Sequence, residues 1–424
     1  DKIPTLGWWQ QWADANAIAD AMLTGDPYPV RGGLCEASGF MNQGNSLKYW
    51  DALNSLDFFV VQDLWKTPTV GAADIVLPVC HWLEVDCPRL SQGATGAQGA
   101  NCRCIEPPAD CHFDVDIILD VYKRMGIPWA DDPVSYGLPE GVQWPTTEQL
   151  YDRTISTTGL TWQEYKESFQ EHGWWDCRAI NPEVWGTYRR YETGRMSAIG
   201  ETPAGNPMKG FSTPTRKQEL WSTVMETYEP SGKFNLPTWE PAPRTELADP
   251  SIVEEWPFLM TTGRRIPVYF HSEHRQLPWC RELWPVPKCE INPVDAEKLG
   301  VTQGDWVWIE SPEGKVRQTV DLYYGVEPGV INCEHQWWYP ELDQAGGGFE
   351  LSTINCLVTP DDQDPICGAS YLRSYNVKVY KATAENSPFG NPVPCGEDGT
   401  PIICDASDPR LLDWMPNYEI RNEA

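Results

Sequence analysis

The stretch Phe258-Leu259-Met260-Thr261-Thr262-Gly263-Arg264-Arg265 marks a change in the character of the chain. Just upstream, residues 227–257 hold Pro230, Pro237, Pro241, Pro243, Pro250 and Pro257 with little periodicity, the composition of a linker. Downstream, short apolar segments recur, and residues 258–262, 306–310, 316–321, 330–333 and 376–380 read as strands. Turn signals separate them: Pro312-Glu313-Gly314, Glu327-Pro328-Gly329 and Gly346-Gly347-Gly348. One helix, Pro293–Leu299, is bounded by Asn292 as its cap and Gly300 as its stop. Short strands with turns between them predict a β-barrel over 258–385, followed by a C-terminal extension, 386–424.

The first 125 residues have an α/β rhythm. Helical periodicity over 12–22 and 45–53 precedes an apolar run, 56–61, that reads as a fully buried strand. A second short strand, 74–78, and a helix over 113–125 follow. Strands alternating with helices predict a doubly wound parallel sheet, α/β in class, ahead of the β domain. Ligands of such sheets sit beyond the carboxyl ends of strands, at loops like the one after Val61. Residues 126–226 are less regular, rich in Trp, Pro and Gly, with helical patches at 162–171 and 219–226.

The composition excludes several classes. With 32 Lys plus Arg against 61 Asp plus Glu, the net charge of −29 argues against nucleic acid or an anionic membrane surface as partner. No run reaches the roughly 18 apolar residues of a membrane span. The 14 Cys are spread through a chain too long to need disulfide staples. Cys102-x-Cys104 is too tight for a zinc pair, and the concentration at Cys87, Cys102, Cys104, Cys111 and His112 reads as reduced thiols rather than a metal site. No run could hold an iron–sulfur cluster. Tryptophan pairs such as Trp8-Trp9, Trp174-Trp175 and Trp337-Trp338 read mainly as core filling. There is no phosphate-binding P-loop, serine-nucleophile elbow or zinc-protease helix. The Gly93, Gly96, Gly99 loop is a weak dinucleotide fingerprint.

One cluster stands against the acidic background. Arg264, Arg265 and Arg275 with His271 and His274 fall within fifteen residues, after a strand and beside Gly263. Arg makes bidentate bonds to phosphate, and His and Ser272 add donors, so an anion or cofactor fits. Structural ion pairing is the main alternative. A metal on His271-x-x-His274 is the third, without a further ligand nearby in sequence.

In order along the chain, these segments resemble the molybdopterin oxidoreductases, the dimethyl sulfoxide reductase family. Thr262-Gly263-Arg264 with His271-Ser272-Glu273-His274-Arg275 resembles the opening of the family's C-terminal domain. Asn292-Pro293-Val294-Asp295-Ala296, Gly304-Asp305-Trp306-Val307, Pro328-Gly329-Val330, Glu334-His335-Gln336-Trp337-Trp338 and Asn355-Cys356-Leu357-Val358-Thr359 match in turn. Upstream, Gln62-Asp63-Leu64-Trp65-Lys66-Thr67 with Ala73-Asp74-Ile75-Val76-Leu77-Pro78 is similar to the guanine-dinucleotide-binding α/β domain, and 210–220 to the segment entering the linker.

The resemblance implies a six-stranded double-psi-type barrel and molybdopterin guanine dinucleotide carrying molybdenum or tungsten. It implies that Asp63 and Thr67 meet the guanine, and that Gly263, Arg264, His271, Ser272 and Arg275 hold pterin and phosphate atoms. Asn355 and Arg373 would meet the pterin, and His335 the pterin or the substrate funnel. For His335 a satisfied core position is an equal reading, and for Arg373 a surface ion pair. A small-molecule substrate and an electron-transfer subunit are the implied partners. The wording around Gly304–Trp308 and His335–Trp338 is closest to a subgroup of hydratases and of enzymes that remove or transfer aromatic hydroxyl groups. Departures are equally informative. The family's metal-ligating residue and iron–sulfur cysteines are not identifiable here. Asp86-Cys87-Pro88 stands where a Gly-containing stretch is usual. The matching segments belong to the second half of such enzymes, so the chain is expected to be a C-terminal portion.

Overall fold

Ser311 and Gly314 pair across a two-residue turn, and the strands that leave this hairpin set the barrel. The computed structural model describes residues 13–36, 38–89, 97–108, 110–173, 175–176, 213–215, 217–264, 267–271, 273–390 and 392–415. The elements in chain order begin with α1 (Ala15–Thr24), β1 (Gly32–Glu36), α2 (Ser46–Asn54), β2 (Phe58–Asp63), α3 (Pro68–Gly71) and β3 (Ile75–Pro78). Then come β4 (Cys87–Arg89), β5 (Ala97–Asn101), α4 (Asp114–Met125), α5 (Thr147–Thr154), α6 (Trp162–His172), β6 (Trp175–Asp176) and α7 (Thr223–Tyr228). The last group is β7 (Phe258–Arg264), α8 (Pro278–Leu283), β8 (Lys288–Ile291), α9 (Pro293–Leu299), β9 (Trp306–Ser311), β10 (Gly314–Leu322), β11 (Val330–Glu334), β12 (Tyr375–Lys381) and α10 (Arg410–Asp413).

Contacts divide the chain into 1–76 with 239–424, and 77–238. These units differ from the expected borders at 125, 226 and 257. The reason lies in the core. Phe59 and Val61 of β2 and Tyr49, Ala52 and Leu53 of α2 belong to one apolar cluster with Met260, Ile291, Val307, Ile309, Ile331 and Val377 of the barrel. Each such side chain contributes about 1.5–3 kcal/mol on burial, so the first α/β segment and the barrel share one core. The expected linker joins them too: Arg244 pairs with Asp362 at 2.9 Å and its carbonyl accepts the Asn376 N–H. Close approach seals this unit, because a Cβ on Gly71 would lie 2.4 Å from the Gly346 backbone nitrogen.

Six strands close the barrel in the order β10-β8-β11-β7-β12-β9. The β10–β8 and β11–β7 pairs are parallel and the others antiparallel. Alternation explains its core: Val307 and Ile309 are buried with Val316 and Val320 opposite. Helix α9 forms as its caps require, with the Asn292 side chain accepting from Val294 N–H and Gly300 left-handed at φ 65°.

The α/β sheet has three strands among the described residues, in the order β1-β2-β3, with β1 and β2 parallel. In the second unit β4, β5 and β6 make an antiparallel sheet that sequence periodicity did not predict. Helices α5 and α6 open on capping boxes, Thr146 with Gln149 and Thr161 with Glu164. Their Tyr151, Trp162 and Tyr165 pack with Ile155 and Ala100 as a separate core. The helix expected at 219–226 begins at Thr223 instead. Glu219 acts as an acceptor, for the backbone of Thr215 and Thr223 and for both their hydroxyls, which favours a turn over a helical start.

Candidate functional site

The parallel pair β7 and β11 ends at Arg264 and Glu334, so the chain leaves both strands at the same end of the barrel. A register shift between Asn332 and Glu334 sits at that point, a bulge of the kind that redirects a strand end. The segment after β7 and the residues after β11 therefore meet. His271 and His335 stand ring to ring at 5.6 Å, and Tyr269 and Trp337 at 5.4 Å. Trp65, in the loop after β2, packs edge-on against His274 at 5.2 Å. Three segments far apart in sequence thus converge, as the position of strand ends requires.

Backbone strain gathers here. Four described non-glycine residues have left-handed φ, and three are His271 at 50°, His274 at 72° and Gln336 at 56°. Such conformations cost of order 1–3 kcal/mol each and persist where surrounding structure holds them. The fourth, Asn45, has a local reason, since it caps α2.

Arg275 is the centre of the cluster. It is 2% exposed, with its guanidinium 4.4 Å from the Tyr269 ring and 4.7 Å from that of Trp337. One Nη donates to the Glu273 carbonyl at 3.0 Å, while Nε has no acceptor. Among the described residues no carboxylate oxygen comes within 4.0 Å of it. Burial lowers its pKa to about 10, opposed by the more distant charges of Tyr269 and Glu334. Burial also pushes the Tyr269 hydroxyl upward. Both amide atoms of Gln276, Oε1 of Gln336 and Nε1 of Trp337 are buried without a hydrogen-bond partner. A buried polar atom left unpaired costs about 1–3 kcal/mol, so this cluster has capacity that the chain itself does not use.

The other expected residues fall at several places. Asp63 ends β2, and its carboxylate accepts the Trp65 N–H at 3.0 Å. Thr67 is 7% exposed with an unpartnered hydroxyl. Gly263 lies in β7, where an added Cβ would meet only Thr261 Oγ1 at 3.9 Å, so the protein leaves that approach open. Beside it the Thr262 hydroxyl donates to the Leu372 carbonyl, which brings the exposed Arg373 to the same rim. Arg264 is the last residue of β7, and its side chain and Ser272 lie outside the described residues. Asn355 is 5% exposed and is turned inward, donating to the carbonyls of Asn42 and Gln43 at 2.7 and 3.1 Å. Its donor group joins the barrel to the α/β segment.

Sequence reading missed Tyr269, Gln276, Gln336 and Trp337 as members of this cluster. Their adjacency to the Arg and His run was the available signal, but the β7–β11 pairing that unites them is not local. Elsewhere, no three metal-ligating side chains come together among the described residues, and the Cys87, Cys102, Cys104, Cys111 group remains free thiols. The second unit has cavities of about 690 Å³ and 370 Å³. Neither is lined by any site residue expected from sequence.

Comparison with known proteins fits this geometry. Residues 258–375 match the molydopterin dinucleotide binding domain. The chain is 48% identical to dopamine dehydroxylase of Eggerthella lenta, over 99% of this chain and 45% of that protein. It is 30% identical to acetylene hydratase of Syntrophotalea acetylenica, over 87% of this chain and 46% of that protein. The solved acetylene hydratase from Pelobacter acetylenicus superposes with a TM-score of 0.72 at 26% identity, covering 87% of this chain and 47% of that one. The chain thus spans less than half the length of these relatives. With the six-stranded barrel and the strand-end cluster, these matches show that the chain belongs to the molybdopterin oxidoreductase, or dimethyl sulfoxide reductase, family.

Proposed function

We propose that this chain is the cofactor-holding portion of an enzyme that uses molybdenum or tungsten bound by two molybdopterin guanine dinucleotides. The observation that carries the reading is Arg275, a buried guanidinium without a nearby carboxylate at the end of β7 and β11. An anionic phosphate or a polar pterin edge would supply the missing partner. The unpartnered Gln276 amide, the Thr67 hydroxyl and the open face at Gly263 also fit such a group. Arg264, His271, Ser272 and Arg275 would hold pterin and phosphate atoms, and Asp63 and Thr67 the guanine. Arg373 would act from the rim. Asn355 would act through the loop it fixes at Asn42 and Gln43. His335, ring to ring with His271, would border the pterin or the substrate path.

When bound, the metal group supplies two-electron or oxygen-atom chemistry. The protein supplies binding, orientation and electrostatics. A small molecule would be the substrate, and an electron-transfer subunit would serve redox turnover. The match to acetylene hydratase supports a second reading, a non-redox hydratase or hydroxyl transfer on the same cofactor. The doubly wound form of the α/β sheet belongs to this proposal, since three described strands are only part of such a sheet.

Cofactor content tests it. The chain purified from a cofactor-making host should release pterin and guanine nucleotide on acid treatment, and Arg264→Ala should reduce both. A chain that never carries pterin, alone or in its native assembly, would leave a catalytically inert binding fragment.

A further inference from the structure

The parallel sheet of the first unit is covered on one face and bare on the other. Cys35, Phe59 and Val61 face the core, where they pack with α1 and α2 residues such as Ala19, Tyr49 and Leu53. The register pairs Gly32 with Phe58 and Leu34 with Val60 on the opposite face. There Phe58 is 48% exposed and Leu34 45%, with Val60 half-buried. The neighbouring edge strand adds Ile75 at 44% and Val76 at 46%. Isolated exposed apolar residues are ordinary, but a contiguous strip across adjacent strands marks an interface.

Topology explains why this chain leaves the face bare. A β1–α2–β2 connection with parallel strands is right-handed and puts its helix on one side. Here that side is the core, and α1 packs there too. Parallel sheets are buried on both faces, almost always by helices, so the strip calls for a helical layer rather than a second sheet. A second copy of this chain would present another parallel sheet, which is the rarer packing.

We propose that the Leu34–Phe58–Val60 face, with Ile75 and Val76 at its edge, is the docking surface for helices from the part of the enzyme that this chain does not span. The length of the relatives supports that occupant, because the matched region is 45% of dopamine dehydroxylase and 46% of acetylene hydratase. The inference rests on the reading of the chain as one portion of a larger molybdopterin enzyme.

The test co-expresses the full chain with the segment of Eggerthella lenta dopamine dehydroxylase that it does not match. Sedimentation should show a one-to-one complex, and hydrogen exchange should show new protection at residues 32–36 and 58–63. The double substitution Leu34→Glu with Phe58→Glu should lower complex yield at least tenfold, with the circular dichroism of the free chain unchanged. A milder Phe58→Ser variant, expected to weaken the complex several-fold, serves if the double variant misfolds. A homodimer protected at this face, no complex at all, or a complex protected only elsewhere would overturn the proposal. Pterin content, read separately, distinguishes the two claims. A complex that forms without pterin keeps this interface and sinks the cofactor reading. Pterin retained while the face stays unprotected does the reverse.

Discussion

Two buried arginines six residues apart, Arg275 and Arg281, have opposite surroundings. Arg281 is fully buried and makes a two-pronged bond to Glu341, at 2.9 and 2.8 Å. Its second Nη also donates to the Ile403 carbonyl, and the Ile403 N–H returns to Glu341 at 2.7 Å. Burial alone would lower its pKa, but the Glu341 carboxylate more than offsets this and holds it above the ordinary value. Arg275 is equally sequestered and stacked, without such a partner, and its pKa goes down. The first is a closed structural pair that pins the C-terminal extension to α8. The second is a cation held in place for something that the described chain does not supply. Burial alone therefore does not separate scaffold from site in this barrel. The presence of a counter-charge does.

The strongest way to break the comparison is Arg281→Met. It strands the Glu341 carboxylate, which is 2% exposed, in the interior. Removing one member of a buried pair costs about 3–5 kcal/mol. Urea unfolding followed by fluorescence should show a midpoint loss of that order, and limited proteolysis should reach the segment around Ile403 sooner. A loss below about 1 kcal/mol would show that Glu341 finds other partners, and the pair would not be the closed feature described.

The two arginines were not equally legible from the sequence. Arg275 stood out because it shares a short run with Arg264, His271 and His274 in an acidic chain. Arg281 did not, since Glu341 is sixty residues away. The barrel strands around Val307, Val316 and Val377 were readable from apolar alternation, and α9 from Asn292 and Gly300. Strand β8 was not, because Lys288-Cys289-Glu290-Ile291 is four residues with two charged ones, and only its place between β10 and β11 makes it a strand. Strand β1 was hidden by Gly32 and Gly33, which weaken any strand signal. Asn355 was correctly singled out as a polar residue with work to do, yet its donor is engaged within the fold. Local pattern shows which groups need partners, and only topology shows whether the chain provides them.

A surface pair supplies the lower reference for this comparison. Asp305 accepts from Lys381 at 2.9 Å and from the Thr302 N–H at 2.8 Å. Partial burial would raise its pKa, but the Lys381 ammonium and the Thr302 donors outweigh it and hold the carboxyl below its usual range. A depressed carboxyl stabilises the fold above its unfolded pKa and loses that contribution as pH falls through the folded value. Asp305→Asn should therefore cost about 0.2–1 kcal/mol at neutral pH, and the difference from the parent should vanish in acid. A neutral-pH loss matching that of Arg281→Met would mean that exposure does not grade these pairs.

Arg275→Met should have the smallest effect on stability and the most specific effect on binding. The substitution keeps apolar contact with Tyr269 and Trp337 and removes a buried cation that lacks a counter-charge, so the net change should stay within about 1 kcal/mol of zero. The pH behaviour follows from the sign of the shift. Because the folded pKa is depressed, the folded state carries the full penalty of a desolvated cation at every pH below about 10, and the penalty is relieved only as pH rises through that value. Parent and variant unfolding curves should thus run parallel across the neutral range. Ligand linkage should separate them. Inorganic phosphate at a hundredfold excess over its Kd would stabilise the parent by about 2.7 kcal/mol, and the variant should gain much less. Equal phosphate stabilisation of both proteins would remove Arg275 from the anion site. A stability loss as large as that of Arg281→Met would make Arg275 a structural residue and dissolve the contrast between the two.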